Sequence, residues 1–280
     1  MKNAAVASLR ANSGSSRGFM KQTEIHQYLQ TLRLHLLDMS RVSQRGVDYS
    51  IKAYKLGCPE FCASVRDNTD EINILHREIT EIAHELLLME LAHESDLRLI
   101  LTSARICNAL QAMHSQAVEI ARNSMRLLES GGLRCTNLTT MGDVVNSLVR
   151  LCVVSLFDEG IEHAQTVLHS DGVERLFETT FYDWYRTVDH RARTQAGYEL
   201  AITKHLSKIV RQTIEMAEAI VFWLEGPDSG SASHIDGEQP TIHTVPAREV
   251  EGETCSPDGM QAFLAEIDTC FANPCFWSRL

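Results

Sequence analysis

Ile72–Met89 reads INILHREITEIAHELLLM, and its apolar residues Ile72, Leu75, Ile79, Ile82, Leu86 and Met89 recur every three or four positions. That spacing returns to one side of a 3.6-residue helix and predicts an amphipathic α-helix. Leu99, Ile106, Leu110, Met113, Ala117 and Ile120 repeat the pattern downstream. The six prolines stand at 59, 227, 240, 246, 257 and 274, so none falls between 60 and 226. Long helices exclude proline from their interiors, whereas a turn-rich β-fold of that length would use it. Breakers fall between the periodic runs: Gly57-Cys58-Pro59, Glu94-Ser95-Asp96, Gly131-Gly132, Gly160 and Gly226-Pro227. The reading is therefore all-α, with helices at about 20–56, 59–91, 95–130, 138–158, 160–190 and 195–225, Ser95 and Asp96 capping the third. Long helices joined by short turns imply antiparallel neighbours in bundles.

The two halves echo each other. Leu110–Arg122 (LQAMHSQAVEIAR) matches Leu206–Glu218 (LSKIVRQTIEMAE), and 63–79 (ASVRDNTDEINILHREI) corresponds to 164–177 (AQTVLHSDGVERLF). A repeat of three helices predicts two tandem three-helix bundles, over 20–132 and 133–226. Residues 1–19 carry Lys2, Arg10 and Arg17 but no acid and no continuous apolar core, and read as a flexible arm. Residues 227–280 hold nine acids and two bases, −7 of the chain's −11, and read as an acidic, largely disordered tail with a short amphipathic helix at 260–271.

Net charge of −11 disfavours nucleic acid, whose phosphates call for a basic face. No uninterrupted apolar run approaches the roughly 20 residues of a membrane span, leaving peripheral association at most. The eight cysteines form no CxxC and read as free thiols of a reducing, cytoplasmic compartment.

These features resemble the PhoU family, accessory regulators of bacterial phosphate-specific transport, over about 20–226. The resemblance rests on Val65, Ile72, Leu75, Glu78 and Ile79, on Asp96-Leu97-Arg98 as a structural motif, and on IVFWLEG ending at Gly226. It implies a non-catalytic regulator of phosphate uptake or phosphate-responsive signalling. The partner it implies is the transporter ATPase or a sensor kinase, with a homodimer as the assembly. It also implies paired acids, D-x-x-x-D on the second helix and E-x-x-x-D on the third of each repeat, forming an all-oxygen metal cage.

The chain departs from that pattern. The positions are Thr69, Asn73, Gln111 and Ser115 in the first repeat, and Asp171, Arg175, Ser207 and Arg211 in the second. The first set has no carboxylate. Asp171 beside Arg175 and Arg211 sums to +1, and each like-charge pair at 4 Å costs about 4 kcal/mol at an effective dielectric of 20. Both metal sites are read as lost, with no cofactor, and Asp171, Arg175 and Arg211 as a salt-bridge cluster or an anion pocket. Two other functions stay open, a metal-binding bundle and a helical adaptor detached from phosphate physiology.

Glu81-x-x-His84 and Glu90-x-x-His93 look like di-iron half-sites, but nine residues on one helix would point them apart. Trp184, Trp223, Tyr182 and Tyr185 read as inter-helix packing rather than a partner hot spot.

Overall fold

Positive φ at Gly57 (62°), Gly131 (67°) and Gly226 (83°) marks the ends of three long helices, the left-handed turn that glycine adopts without a Cβ penalty. The computed structural model describes residues 3–89, 93–131, 136–170, 173 and 193–226, with 3–22, 136–137 and 193–194 described as backbone only. The elements are α1 (Asn3–Leu56), α2 (Pro59–Asp67), α3 (Thr69–Leu87), α4 (Glu94–Glu129), α5 (Thr136–Asp158), α6 (Ile161–Leu168) and α7 (Arg193–Glu225). Among the described residues there is no strand.

Four expectations change. The helix expected from residue 20 begins at Asn3, so the segment read as an arm has helical backbone; Asn3–Ala11 is rich in Ala, Leu and Arg, all strong helix formers. The helix expected over 59–91 is split by Asn68, whose N–H reaches the Ser64 carbonyl only at 3.4 Å, and it ends at Leu87. Ser95 and Asp96 do not cap α4: His93 holds that position without a side-chain bond, while Glu94 and Asp96 sit in the first turn, where negative charge opposes the helix dipole. Finally, Leu138–Asp158 is long and apolar enough to cross a membrane by length and composition. It is mostly buried against α1, α6 and α7, as a core helix is. Polar residues interrupt its apolar runs, which is why run length missed it. The tail over 227–280, its helix at 260–271 and most of the helix expected at 160–190 lie outside the described residues.

The internal repeat is visible in the backbone. Leu56 and Asp158 end α1 and α5, Pro59 and Ile161 start α2 and α6, and both steps span 102 residues. The interruption after α2 at Asn68 has its counterpart after α6 at His169, each in the right-handed helical region. α1, α2–α3 and α4 pack as one bundle; α5, α6 and α7 pack as the other. Across the seam like meets like, α4 against α7 in the most extensive interface and α1 against α5. This is the pairing that a two-fold relation between repeats produces. Residues 1–226 consequently form one compact unit.

Leu32, Leu36 and Met39 of α1 meet the buried stripes Ile72, Ile79 and Leu86 of α3 and Leu99, Ile106, Leu110 and Met113 of α4. Ile202, Leu206, Ile209 and Met216 do the same on α7. Two glycines permit close helix approach. A Cβ at Gly46 would lie 2.7 Å from His114 Nδ1, and one at Gly142 would lie 2.9 Å from Ile51 Cγ2.

Candidate functional site

The first-repeat positions do come together, along the line where α3 lies on α4. Gln111 Nε2 donates to Asn73 Oδ1 at 3.1 Å. Thr69 Oγ1 and His114 Nε2 are 3.3 Å apart, and Ser115 Oγ donates to the Gln111 carbonyl at 2.9 Å. One turn on, His76 Nε2 and Asn108 Oδ1 are 2.9 Å apart. The seam is thus a ladder of hydrogen-bonded pairs, His76–Asn108, Asn73–Gln111 and Thr69–His114.

This donor set does not fit the metal that the family resemblance implies. A hard divalent ion takes several oxygens with carboxylate charge among them, whereas the Asn73 carbonyl already accepts the Gln111 amide and the Thr69 hydroxyl is paired with His114. Among the described residues, no three His, Cys, Asp or Glu side chains converge to hold a metal ion. Hydrogen bonding is the chemistry left to the seam.

In the second repeat, Ser207 is buried with an unpartnered hydroxyl, and Arg211 is exposed on α7 with no acidic partner among the described residues. Asp171 and Arg175 lie outside the described residues.

Asp96-Leu97-Arg98 acquires a definite role. Arg98 Nη1 pairs with Glu94 Oε1 at 2.7 Å, and its Nε donates to the Trp223 carbonyl at 3.2 Å. A guanidinium therefore caps the C-terminal end of α7, where carbonyls lack helical partners and positive charge is favoured. Gly226 lies against it: an added Cβ would come within 3.3 Å of Arg98 Nη1. Near the opposite end of the same interface, Gln195 Nε2 donates to the Ser130 carbonyl after α4 at 3.1 Å. Each of the two long helices thus has its C-terminal end bonded by a side chain from the other's N-terminal part.

Several functional contacts had no sequence signal beyond residue type. His114 is 2 % exposed, its Nδ1 has no partner, and burial pushes its pKa down. His205 shares that direction, through burial first and Lys208 second, and its Nδ1 lies 2.8 Å from Gln116 Oε1. Tyr54 donates to the buried Glu199 at 2.7 Å, joining α1 to α7. Trp223 is buried, with the Arg33 guanidinium 5.5 Å over its ring, so it packs between helices. Trp184, Tyr182 and Tyr185 lie outside the described residues. Cys62, Cys107 and Cys152 are buried free thiols; burial raises Cys107 to about 12, far from reactive thiolate. Glu81 and His84 are exposed on α3, which stops before His93, and Glu90 is outside the described residues.

Residues 36–124 match the PhoU domain model. A phosphate-specific transport system accessory protein PhoU homolog from Pseudomonas putida is 25 % identical over 207 residues, covering 71 % of this chain and 80 % of that protein. The Pseudomonas aeruginosa homolog is 24 % identical over 205 residues, covering 71 % and 85 %. The crystal structure of PhoU from Pseudomonas aeruginosa superposes with a TM-score of 0.68 at 22 % identity, over 72 % of this chain and 99 % of that one. The phosphate transport system regulatory protein PhoU from Streptococcus pneumoniae gives 0.63 at 18 % identity, over 72 % and 97 %.

Proposed function

We propose that this chain, which belongs to the PhoU family, is a non-catalytic regulator of phosphate uptake or phosphate-responsive signalling that works through protein–protein contacts. The observation that carries the reading is the extent of the match. The similarity runs over 80 % and 85 % of two relatives named as accessory proteins of phosphate-specific transport. By analogy its partner is the transporter ATPase or a sensor kinase, and it acts in the cytoplasm, as a homodimer. The free thiols of Cys58, Cys62, Cys107 and Cys152 fit a reducing compartment. The neutral Asn73–Gln111 pair requires that it engage its partner without a metal cage at the first-repeat position.

The same pair supports a second reading, a helical adaptor that kept the scaffold and left phosphate physiology. Affinity capture from phosphate-replete and phosphate-starved cells separates the two. Recovery of the transporter ATPase or the kinase, varying with phosphate supply, is the expected result. A phosphate-indifferent partner set with neither component supports the adaptor. Elemental analysis of the purified chain is expected to show sub-stoichiometric iron, zinc and manganese.

A further inference from the structure

The chain carries −11 overall, yet one groove between the repeats concentrates the opposite sign. It lies where α1 meets α5, with a volume of about 490 Å³, and its lining includes Arg41, Arg45, Lys52 and Arg150 against a single carboxylate, Asp48. The α1 residues 41, 45, 48 and 52 follow one another at three and four residues, one face of a helix; Asn146 and Arg150 are one turn apart on α5. Asp48 is already committed, 2.7 Å from Lys52 Nζ and accepting from Asn146 Nδ2 at 3.0 Å. Arg41 is held in place, 4.7 Å over the Phe157 ring and 3.3 Å from Asp38. Arg45 is exposed and has no acidic partner among the described residues.

We infer that this α1–α5 groove binds a phosphate-class oxyanion from solution, with Arg45 as its principal ligand and Arg150, Arg41 and Lys52 supplying further positive charge. The size suits a small ligand, and guanidinium forks match tetrahedral oxyanions in paired hydrogen bonds. Even with Asp48 and the neighbouring Asp38 set against the four cations, the groove keeps an excess of positive charge, which an anion offsets. Because the groove is built from both repeats, its occupant bridges α1 to α5 across the seam. The inference rests on charge and geometry and stands apart from the regulatory reading, so loss of either leaves the other intact.

The test is calorimetric titration of inorganic phosphate into the full chain in low-salt, phosphate-free buffer. Saturable one-site binding is expected, weakened roughly tenfold or more by Arg45→Glu and by Arg150→Glu, since a charge-assisted hydrogen bond is worth at least about that factor. Arg122→Glu changes net charge equally on the α2–α4 side and is expected to leave the affinity within about twofold. Thermal melts confirm that each variant is folded. Added potassium chloride should weaken binding as surface electrostatics are screened. Absence of saturable heat overturns the inference, as does equal weakening by Arg122→Glu. Binding confined to phosphatidylglycerol vesicles, with none to free phosphate, overturns it in favour of a lipid surface.

Discussion

At the link between its first and second helices the N-terminal repeat places Gly57 at φ 62°, whereas the C-terminal repeat places Glu159 at φ 49° at the corresponding point. Glycine reaches the left-handed region without a steric penalty; a glutamate there costs about 1–2 kcal/mol. Glu159 is met there by an ion pair from the other repeat, Arg33 Nη1 to Glu159 Oε1 at 2.7 Å. The same dependence recurs at Arg98 on the Trp223 carbonyl and at Tyr54 on Glu199. The N-terminal repeat, which contains the 36–124 match to the family model, takes one support in return, from Gln195 on the Ser130 carbonyl. The C-terminal repeat takes three, from Arg33, Arg98 and Tyr54.

The largest expected break in this asymmetry is functional. Thr69→Asp, Asn73→Asp, Gln111→Glu and Ser115→Asp together install the acids that the family resemblance implies, on two helices already within hydrogen-bonding distance. The quadruple variant should gain micromolar affinity for manganese or zinc, about 8 kcal/mol of binding free energy, with a stoichiometry of about one in elemental analysis. A variant that stays metal-free would show that the seam lacks the geometry as well as the charge.

Next in size is the pair of reciprocal caps. Arg98→Ala removes a charged donor from a helix-end carbonyl and should lower unfolding free energy by about 1.5–3 kcal/mol in urea melts, against about 0.5–1.5 for Gln195→Ala, whose bond is neutral and exposed. Equal costs would contradict the view that the α7 end carries more of the seam.

A pH dependence separates the repeats further. His114 is buried and its pKa depressed, so in the window below about 6.5 the unfolded chain binds a proton that the folded chain refuses. Stability is full above that pH and falls as pH drops toward the folded pKa. In the second repeat the corresponding residue on α7 is Val210, which does not titrate. His114→Val copies it and should flatten much of the loss between about pH 7 and 5, leaving the part due to His205. An unchanged profile in melts across that range would rule His114 out as the cause.

The smallest effect is at the link itself. Glu159→Gly, copying Gly57, removes the φ penalty and also the Arg33 pair, which is half-exposed and worth about 0–1 kcal/mol. The net is a stabilisation of about 0–2 kcal/mol. In an Arg33→Ala background the gain should be larger, and a double-mutant cycle reads the difference.

Legibility followed the range of the forces involved. Helix existence, the repeat and the glycine stops at 57, 131 and 226 could be read directly, because apolar period and left-handed turns are written in neighbouring residues. Helix ends set by composition were harder. The alanine-rich start of α1 and the hitch at Asn68 are graded propensities with no single decisive residue. Asn73 and Gln111 were assigned to one site by the family resemblance alone, and their hydrogen bond is a tertiary fact. His114 against Gly46, Gln195 on Ser130 and Tyr54 on Glu199 left no mark, since their partners lie 65 or more residues away in sequence.

By itself the sequence determined that this protein is helical and duplicated, and that its first-repeat site positions carry no charge, because periodicity and residue type are local properties. Only the tertiary structure decided which side chains meet across the seam, that Arg98 closes the far end of α7, and that four cations of α1 and α5 line one groove. Those depend on where two helices distant in the chain are brought face to face, and packing between repeats fixes that after the helices themselves are specified.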